Sequence, residues 1–152
     1  MLEVSEVEER YLKIAKRDGI NEQEIKNIEH ILGITLPNDF KEISQFFSGG
    51  CLGVIDNYSF IRGKWDNIID KTIRLRETVK LPCQFVVLAE PPESLVVMDV
   101  EKTPSVIWCN AVEADKLGKK SYISNSDIWE NYSDFFSELL SDEENEILDN
   151  IL

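Results

Sequence analysis

Apolar residues recur at helical spacing through the first half of the chain and then gather into short continuous runs, and this change of texture sets the expected architecture. Val7, Tyr11, Ile14 and Ala15 fall at i, i+4, i+7 and i+8, one stripe of a first helix. Ser5 and Glu8 have the form of a capping box for it, and Asp18-Gly19 is expected to stop it. A second box, Asn21 with Glu24, opens a helix carrying Ile25, Ile28, Ile31 and Leu32, and Gly33 stands where a left-handed cap is wanted. Pro37 keeps Leu36 out of helical geometry, and Asn38 or Asp39 caps a third helix with Phe40, Ile43, Phe46 and Phe47 on one face. Ser48-Gly49-Gly50 ends that helix, the two glycines supplying the backbone angles of a helix-to-strand reversal. Residues 52–55 and 58–61 read as a hairpin around the turn-former Asp56-Asn57. Ile68, Ile69, Thr72, Ile73 and Arg76 place a fourth helix over 66–80, ended by Leu81-Pro82.

Beyond it, residues 85–89, 95–100 and 105–109 are β-rich runs separated by Pro91-Pro92-Glu93-Ser94 and Thr103-Pro104, the pattern of an antiparallel meander. Their near-continuous apolar character predicts central strands, and the alternating Ser121-Tyr122-Ile123-Ser124 predicts an edge. Residues 125–140 return to helix, with Ile128, Trp129, Tyr132, Phe135, Phe136, Leu139 and Leu140 on a wide apolar face. Ser141 to Glu144 caps a last short turn whose Ile147, Leu148, Ile151 and Leu152 are expected to fold back onto the core. Helices at both ends of a meander, without strand-helix-strand alternation, predict an α+β fold with the helices packed on a mainly antiparallel sheet. The 152 residues, with no repeat and no low-complexity linker, are expected to form one domain, 1–152.

Charge narrows the partners. Sixteen Lys and Arg against twenty-nine Asp and Glu leave a formal net charge of −13, which repels phosphate backbones and anionic membranes. Direct nucleic-acid and membrane binding are therefore not expected. The same field speeds encounter with a basic protein, or at its simplest keeps the chain in solution. No apolar stretch approaches the ~18 residues of a membrane span, and the first residues carry no basic patch followed by an apolar one, so a cytoplasmic location is expected. Cys51, Cys83 and Cys109 lie far apart with no CxxC pair, which predicts reduced, mostly buried thiols and neither disulfide nor zinc.

Candidate chemistry is sparse. A histidine-based triad would need His30, which sits on a helix beside core positions and reads as structural or surface. The glycines of 48–53 follow a helix instead of opening one, so they make no phosphate cradle. Asp99 with Glu101, and Glu113 with Asp115, are the nearest carboxylate pairs; an enzyme built on Asp99 or Glu101 would need a deep pocket of convergent carboxylates. Pairs of this kind arise by chance among so many acids, and they read better as solvated loop residues. No catalytic residue, metal or cofactor is assigned, and the chain is read as a binding protein, not an enzyme. Trp108 and Trp129 sit in apolar contexts and are expected in the core, while Trp65 and Tyr58 are candidates for an exposed interface.

The run Ile25-x-x-Ile28-Glu29-x-x-Leu32-Gly33-Ile34-x-Leu36-Pro37-x-Asp39-Phe40, followed by Phe46-Phe47-Ser48-Gly49-Gly50, resembles the signature of the SUKH superfamily (SMI1/KNR4-like). The later strands and the helix with Phe135-Phe136-x-x-Leu139-Leu140 fit it too, so the resemblance spans about residues 25–140. Ser48 stands where many members have Asn. Bacterial members are commonly immunity proteins that neutralise secreted toxins, many of them nucleases, by direct binding; fungal relatives regulate cell-wall synthesis and signalling. The resemblance thus implies an immunity protein for a cognate basic toxin, with a regulatory interaction scaffold as the alternative. An acidic surface would compete for the groove in which a nuclease holds phosphate, and the acidic turn residues Asp56, Glu90, Glu93, Glu101, Glu113 and Asp115, with Tyr58 and Trp65 as aromatic anchors, are the expected toxin contacts.

Overall fold

The computed structural model describes residues 3–63, 65–119 and 126–151. Among them, α1 (Val4–Leu12), α2 (Glu22–Leu32) and α3 (Asn38–Ile43) precede a hairpin of β1 (Gly50–Leu52) and β2 (Ile55–Asn57). Then come α4 (Ile68–Thr78), the strands β3 (Phe85–Ala89), β4 (Ser94–Asp99) and β5 (Val106–Asn110), a 3-10 helix (Ala111–Lys116), β6 (Asp127–Trp129) and α5 (Tyr132–Ile151). The four later strands form one antiparallel sheet in the order β3-β4-β5-β6. This is the α+β arrangement the sequence predicts. No helix of the described residues is long and apolar enough to cross a membrane.

The continuous apolar strands are explained by cover on both faces. Val86, Leu88, Val96, Met98 and Val106 face a core built with α1, α2, α3 and α5. Phe85, Val87, Leu95, Val97, Ile107 and Cys109 face a second core closed by Leu75 of α4, Leu81 and the 3-10 helix residue Ala114. A register shift between Val87 and Ala89 breaks the alternation, so that Leu88 and Ala89 both join the first core. Contrary to expectation β3 is a sheet edge, and it is buried because other elements cover it. The Thr72 hydroxyl of α4 accepts from the Val87 amide at 2.9 Å, and the Tyr58 amide donates to the Leu88 carbonyl at 3.0 Å. Those two bonds take up edge groups that would otherwise invite another strand.

The segment between α2 and α3 locks the helical layer. Asn21 and Glu24 form the expected reciprocal box, and Gly33 is the left-handed cap of α2. The Glu29 carboxylate accepts from the Leu36 amide at 2.8 Å and meets Lys41 at 3.4 Å, fixing the turn ahead of Pro37. Asp39 does not cap its own helix through the usual bond; α3 begins at Asn38 with Pro37 in the capping place. Its carboxylate instead accepts from the Ser133 amide at 2.8 Å, ninety-four positions away, so it satisfies one of the free amides at the start of α5. Asn131 takes the next one, from Asp134. Asp39→Ala is expected to cost about 1–3 kcal/mol, because it strands that amide in a half-buried site. Asp39→Asn keeps an acceptor and should cost less; urea unfolding of both variants checks the order, and an unchanged midpoint for Asp39→Ala would contradict it.

Several boundaries differ from expectation. Helix α1 starts at Val4 behind Glu3, so the Ser5–Glu8 box does not form, and it ends at Leu12, with Ile14 and Ala15 packing from the turn beyond. Helix α3 closes at Ile43, leaving Phe46 and Phe47 buried in the segment after it. The hairpin turns at Gly53-Val54, not Asp56-Asn57: Leu52 pairs with Ile55, and Gly53 has a φ of 62°. A side chain there would also meet the Leu139 carbonyl at 2.6 Å. The expected edge strand at 121–124 lies outside the described residues; the edge seen is β6, built from Ile128 and Trp129, which were expected in the helix. Helix α5 runs unbroken through Ser141-Asp142-Glu143-Glu144 to Ile151. Leu148 and Ile151 therefore stay exposed and do not fold back. Arg10 of α1 grips this helix, bonding Glu144 at 2.7 Å and the Ser137 and Ser141 hydroxyls. Trp108 and Trp129 are half-buried, short of the core placement expected. Only Cys109 is buried; Cys51 and Cys83 are exposed.

Candidate protein-binding cleft

The reversal after α3 brings distant segments together. Gly49 and Gly50 adopt φ of 108° and 98°, and a Cβ on Gly49 would meet the Tyr58 carbonyl at 2.5 Å, so only glycine lets the two backbones run this close. The Asp18 amide donates to the Phe46 carbonyl at 3.0 Å, which holds the 16–19 turn beside the same reversal. On the far side, beyond β2, two backbone bonds draw the segment ahead of α4 back to Ser59: the Ser59 amide donates to the Asp66 carbonyl and the Ile68 amide to the Ser59 carbonyl. Asn67 caps α4 by accepting from the Asp70 amide, and its Nδ2 donates to the Trp65 carbonyl at 3.1 Å. That bond fixes the backbone from which Trp65 projects.

Between these segments lies a cleft of about 590 Å³, lined by Asp18, Ser48, Gly49, Gly50, Asp56, Asn57, Tyr58, Ser59, Ile61, Trp65 and Asp66. Trp65 is 73% exposed and Ile61 43%, a large apolar surface left open at its mouth. Three carboxylates surround it, and no lysine or arginine among the described residues lines it. Asp66 meets Lys71 at 3.6 Å, whose ammonium also sits 5.4 Å from the Tyr58 ring centre. Asp18 and Asp56 have no ion-pair partner among the described residues. Burial raises the Tyr58 phenol well above its ordinary pKa, helped by Glu90, to which the hydroxyl donates at 3.0 Å. Tyr58 is therefore a neutral, fixed ring. Beside Cys51 the Asp56 charge raises the thiol's pKa, which disfavours the thiolate at that exposed sulfur.

Of the eight residues singled out from sequence, Asp56, Tyr58 and Trp65 meet in this cleft. Glu90 adjoins it through Tyr58, but its charge is spent on Arg74 at 2.8 Å. Glu93 stands in the β3–β4 turn with φ 60° and its carbonyl accepts from Ala111, which places it beside the 3-10 helix of Glu113 and Asp115. Glu113 in turn reaches Lys116 at 3.8 Å. Glu101 is set apart, in the β4–β5 loop at the opposite end of the sheet. There it shares a shallow concavity with His30 and Cys83, between which no hydrogen bond forms. Asp99 uses its carboxylate to accept from the Glu101 and Lys102 amides, a turn-forming role. Among the described residues no group of three or more His, Cys, Asp or Glu is arranged to hold a metal ion.

Sequence reasoning missed Asp18, Asn57, Ile61 and Asp66 as lining residues. Asp66 had a signal, adjacency to Trp65, whereas Asp18 comes from a turn forty residues away along the chain and had none.

No curated protein matches the chain. Its segment 19–138, which holds the α2–α3 turn, the glycine reversal, every lining residue of the cleft except Asp18 and the four-stranded sheet, matches the family model of the SMI1 / KNR4 family (SUKH-1), and the chain belongs to that family.

Proposed function

We propose that the protein is an immunity protein that binds and neutralises a cognate secreted toxin, a nuclease domain, by covering its active site, with the cleft between the glycine reversal and the segment ahead of α4 as part of the binding face. The observation that carries this is Trp65, 73% exposed beside Asp18 and Asp56, two carboxylates without ion-pair partners among the described residues. Exposed aromatic residues at the edge of a concavity are the usual anchors of protein interfaces. A nuclease must display lysine and arginine to hold phosphate, so an acidic face with an aromatic anchor competes for its substrate groove. The net charge of −13 favours the same encounter at long range. Membership of a family whose bacterial members neutralise toxins by binding supports the reading. Neutralisation by binding needs no chemistry of the inhibitor's own, so we read the protein as a non-enzyme.

Co-expression with the toxin domain encoded beside its gene tests this. The expected result is restored growth and a complex that survives purification; growth arrest with no association would refute the reading for that toxin. Charge reversal separates steering from fit. Because Glu90 is already neutralised by Arg74, the telling variant is Asp18→Lys with Asp56→Lys, both at exposed positions. Its association rate at low salt should fall by about tenfold or more and lose much of its salt dependence. Unchanged stopped-flow kinetics would move the interface elsewhere.

A further inference from the structure

The charged groups that line the cleft are acceptors. Asn57 lines it while only 5% exposed; its amide nitrogen donates to the Gly50 carbonyl at 3.1 Å, and among the described residues nothing donates to its amide oxygen. Asp18 and Asp56 add two carboxylates, each able to accept several bonds. Lys71 already supplies a cation on one side, shared between Asp66 and the Tyr58 ring. Trp65 adds a second aromatic face to the lining, and no lysine or arginine among the described residues lines the cleft.

A guest that complements the carboxylates and the indole is positive, rich in donors and flat enough to lie against an aromatic face. Lysine meets the first demand but is strongly hydrated and does not stack. The guanidinium meets all of them: five donors in a plane, no acceptor, weak hydration and a preference for aromatic faces. We infer that the cleft receives an arginine side chain of the protein partner, stacked on Trp65 and donating to Asp56, Asp18 and the Asn57 amide oxygen. The inference rests on the proposal that this face binds a protein, and it names the side chain by which the partner is held.

The probe is the peptide acetyl-Gly-Gly-Arg-Gly-Gly-amide, titrated into the whole protein by amide NMR, with lysine and citrulline versions for comparison. Saturable shifts are expected on Gly49, Gly50, the Asn57 side chain and the Trp65 indole. The lysine peptide should bind roughly 3- to 10-fold more weakly, and uncharged citrulline at least about 10-fold more weakly. Trp65→Ala, at an exposed position that leaves the rest of the spectrum in place, should weaken the arginine peptide by about 5-fold or more. Shifts of similar size along the acidic end of α5, at Glu143, Glu144, Glu146 and Asp149, would overturn the inference, and so would equal binding of citrulline. A toxin neutralised in co-expression while the arginine peptide shows no saturable binding would refute the arginine assignment and leave the immunity reading standing. Cleft-specific arginine binding without toxin neutralisation would do the reverse.

Discussion

Phe136→Ala is expected to lower the unfolding free energy by about 3–5 kcal/mol, the range for removing a fully buried phenylalanine. Phe136 is 0% exposed, and its ring lies 5.9 Å from Tyr11, 5.9 Å from Phe46, 5.0 Å from Phe47 and 6.4 Å from Tyr132. Those partners come from α1, from the segment after α3 and from α5 itself, so the one side chain ties three parts of the helical layer. Edge-to-face contacts with Phe46 and Phe47 add to the loss beyond simple area, by about 0.5–1.5 kcal/mol per pair. A domain stable by about 5–15 kcal/mol would lose a large share of its margin. Urea unfolding should show a lower midpoint at an unchanged slope. A loss below about 1 kcal/mol would mean that the site collapses around the deletion, contrary to interior packing density.

The helices and the meander could be read from sequence because local rules decided them. Asn21, Glu24 and Gly33 act within one turn of α2, and β3, β4 and β5 each keep an unbroken apolar run because both faces of the sheet are covered. Failures fall where partners far along the chain outweigh local preference. Asp39 looks like a local cap but serves α5, and Ser5 has a capping pattern that Glu3 displaces. Ile128 and Trp129 fit a helical face, yet pairing of Ile107 with Ile128 and of Val106 with Trp129 draws them into a strand. Gly53 wins the hairpin turn over Asp56-Asn57 because it supplies the positive φ and the close approach to Leu139. The cleft was legible only in part: Tyr58, Trp65 and Asp56 lie close together in sequence, while Asp18 and the Gly49-Gly50 wall arrive through the reversal after α3.

Trp65→Ala is expected to weaken toxin binding by at least about 2 kcal/mol, roughly 30-fold in Kd, with little effect on folding. The side chain is 73% exposed in the free protein, so its removal opens no cavity and the unfolding midpoint should not move. All of the loss would then come from the complex, where the indole loses water against the partner and the neighbouring carboxylates lose the cation it holds in place. Trp65→Phe should keep part of the affinity, since a smaller ring retains an aromatic face.

The most direct test is the Kd of the proposed toxin partner for the wild-type protein and for Trp65→Ala, measured by calorimetry on samples of matched thermal stability. Tight binding by the wild type and a 30-fold or greater loss in the variant is the predicted result. Equal affinities would contradict a binding face at the Trp65 cleft.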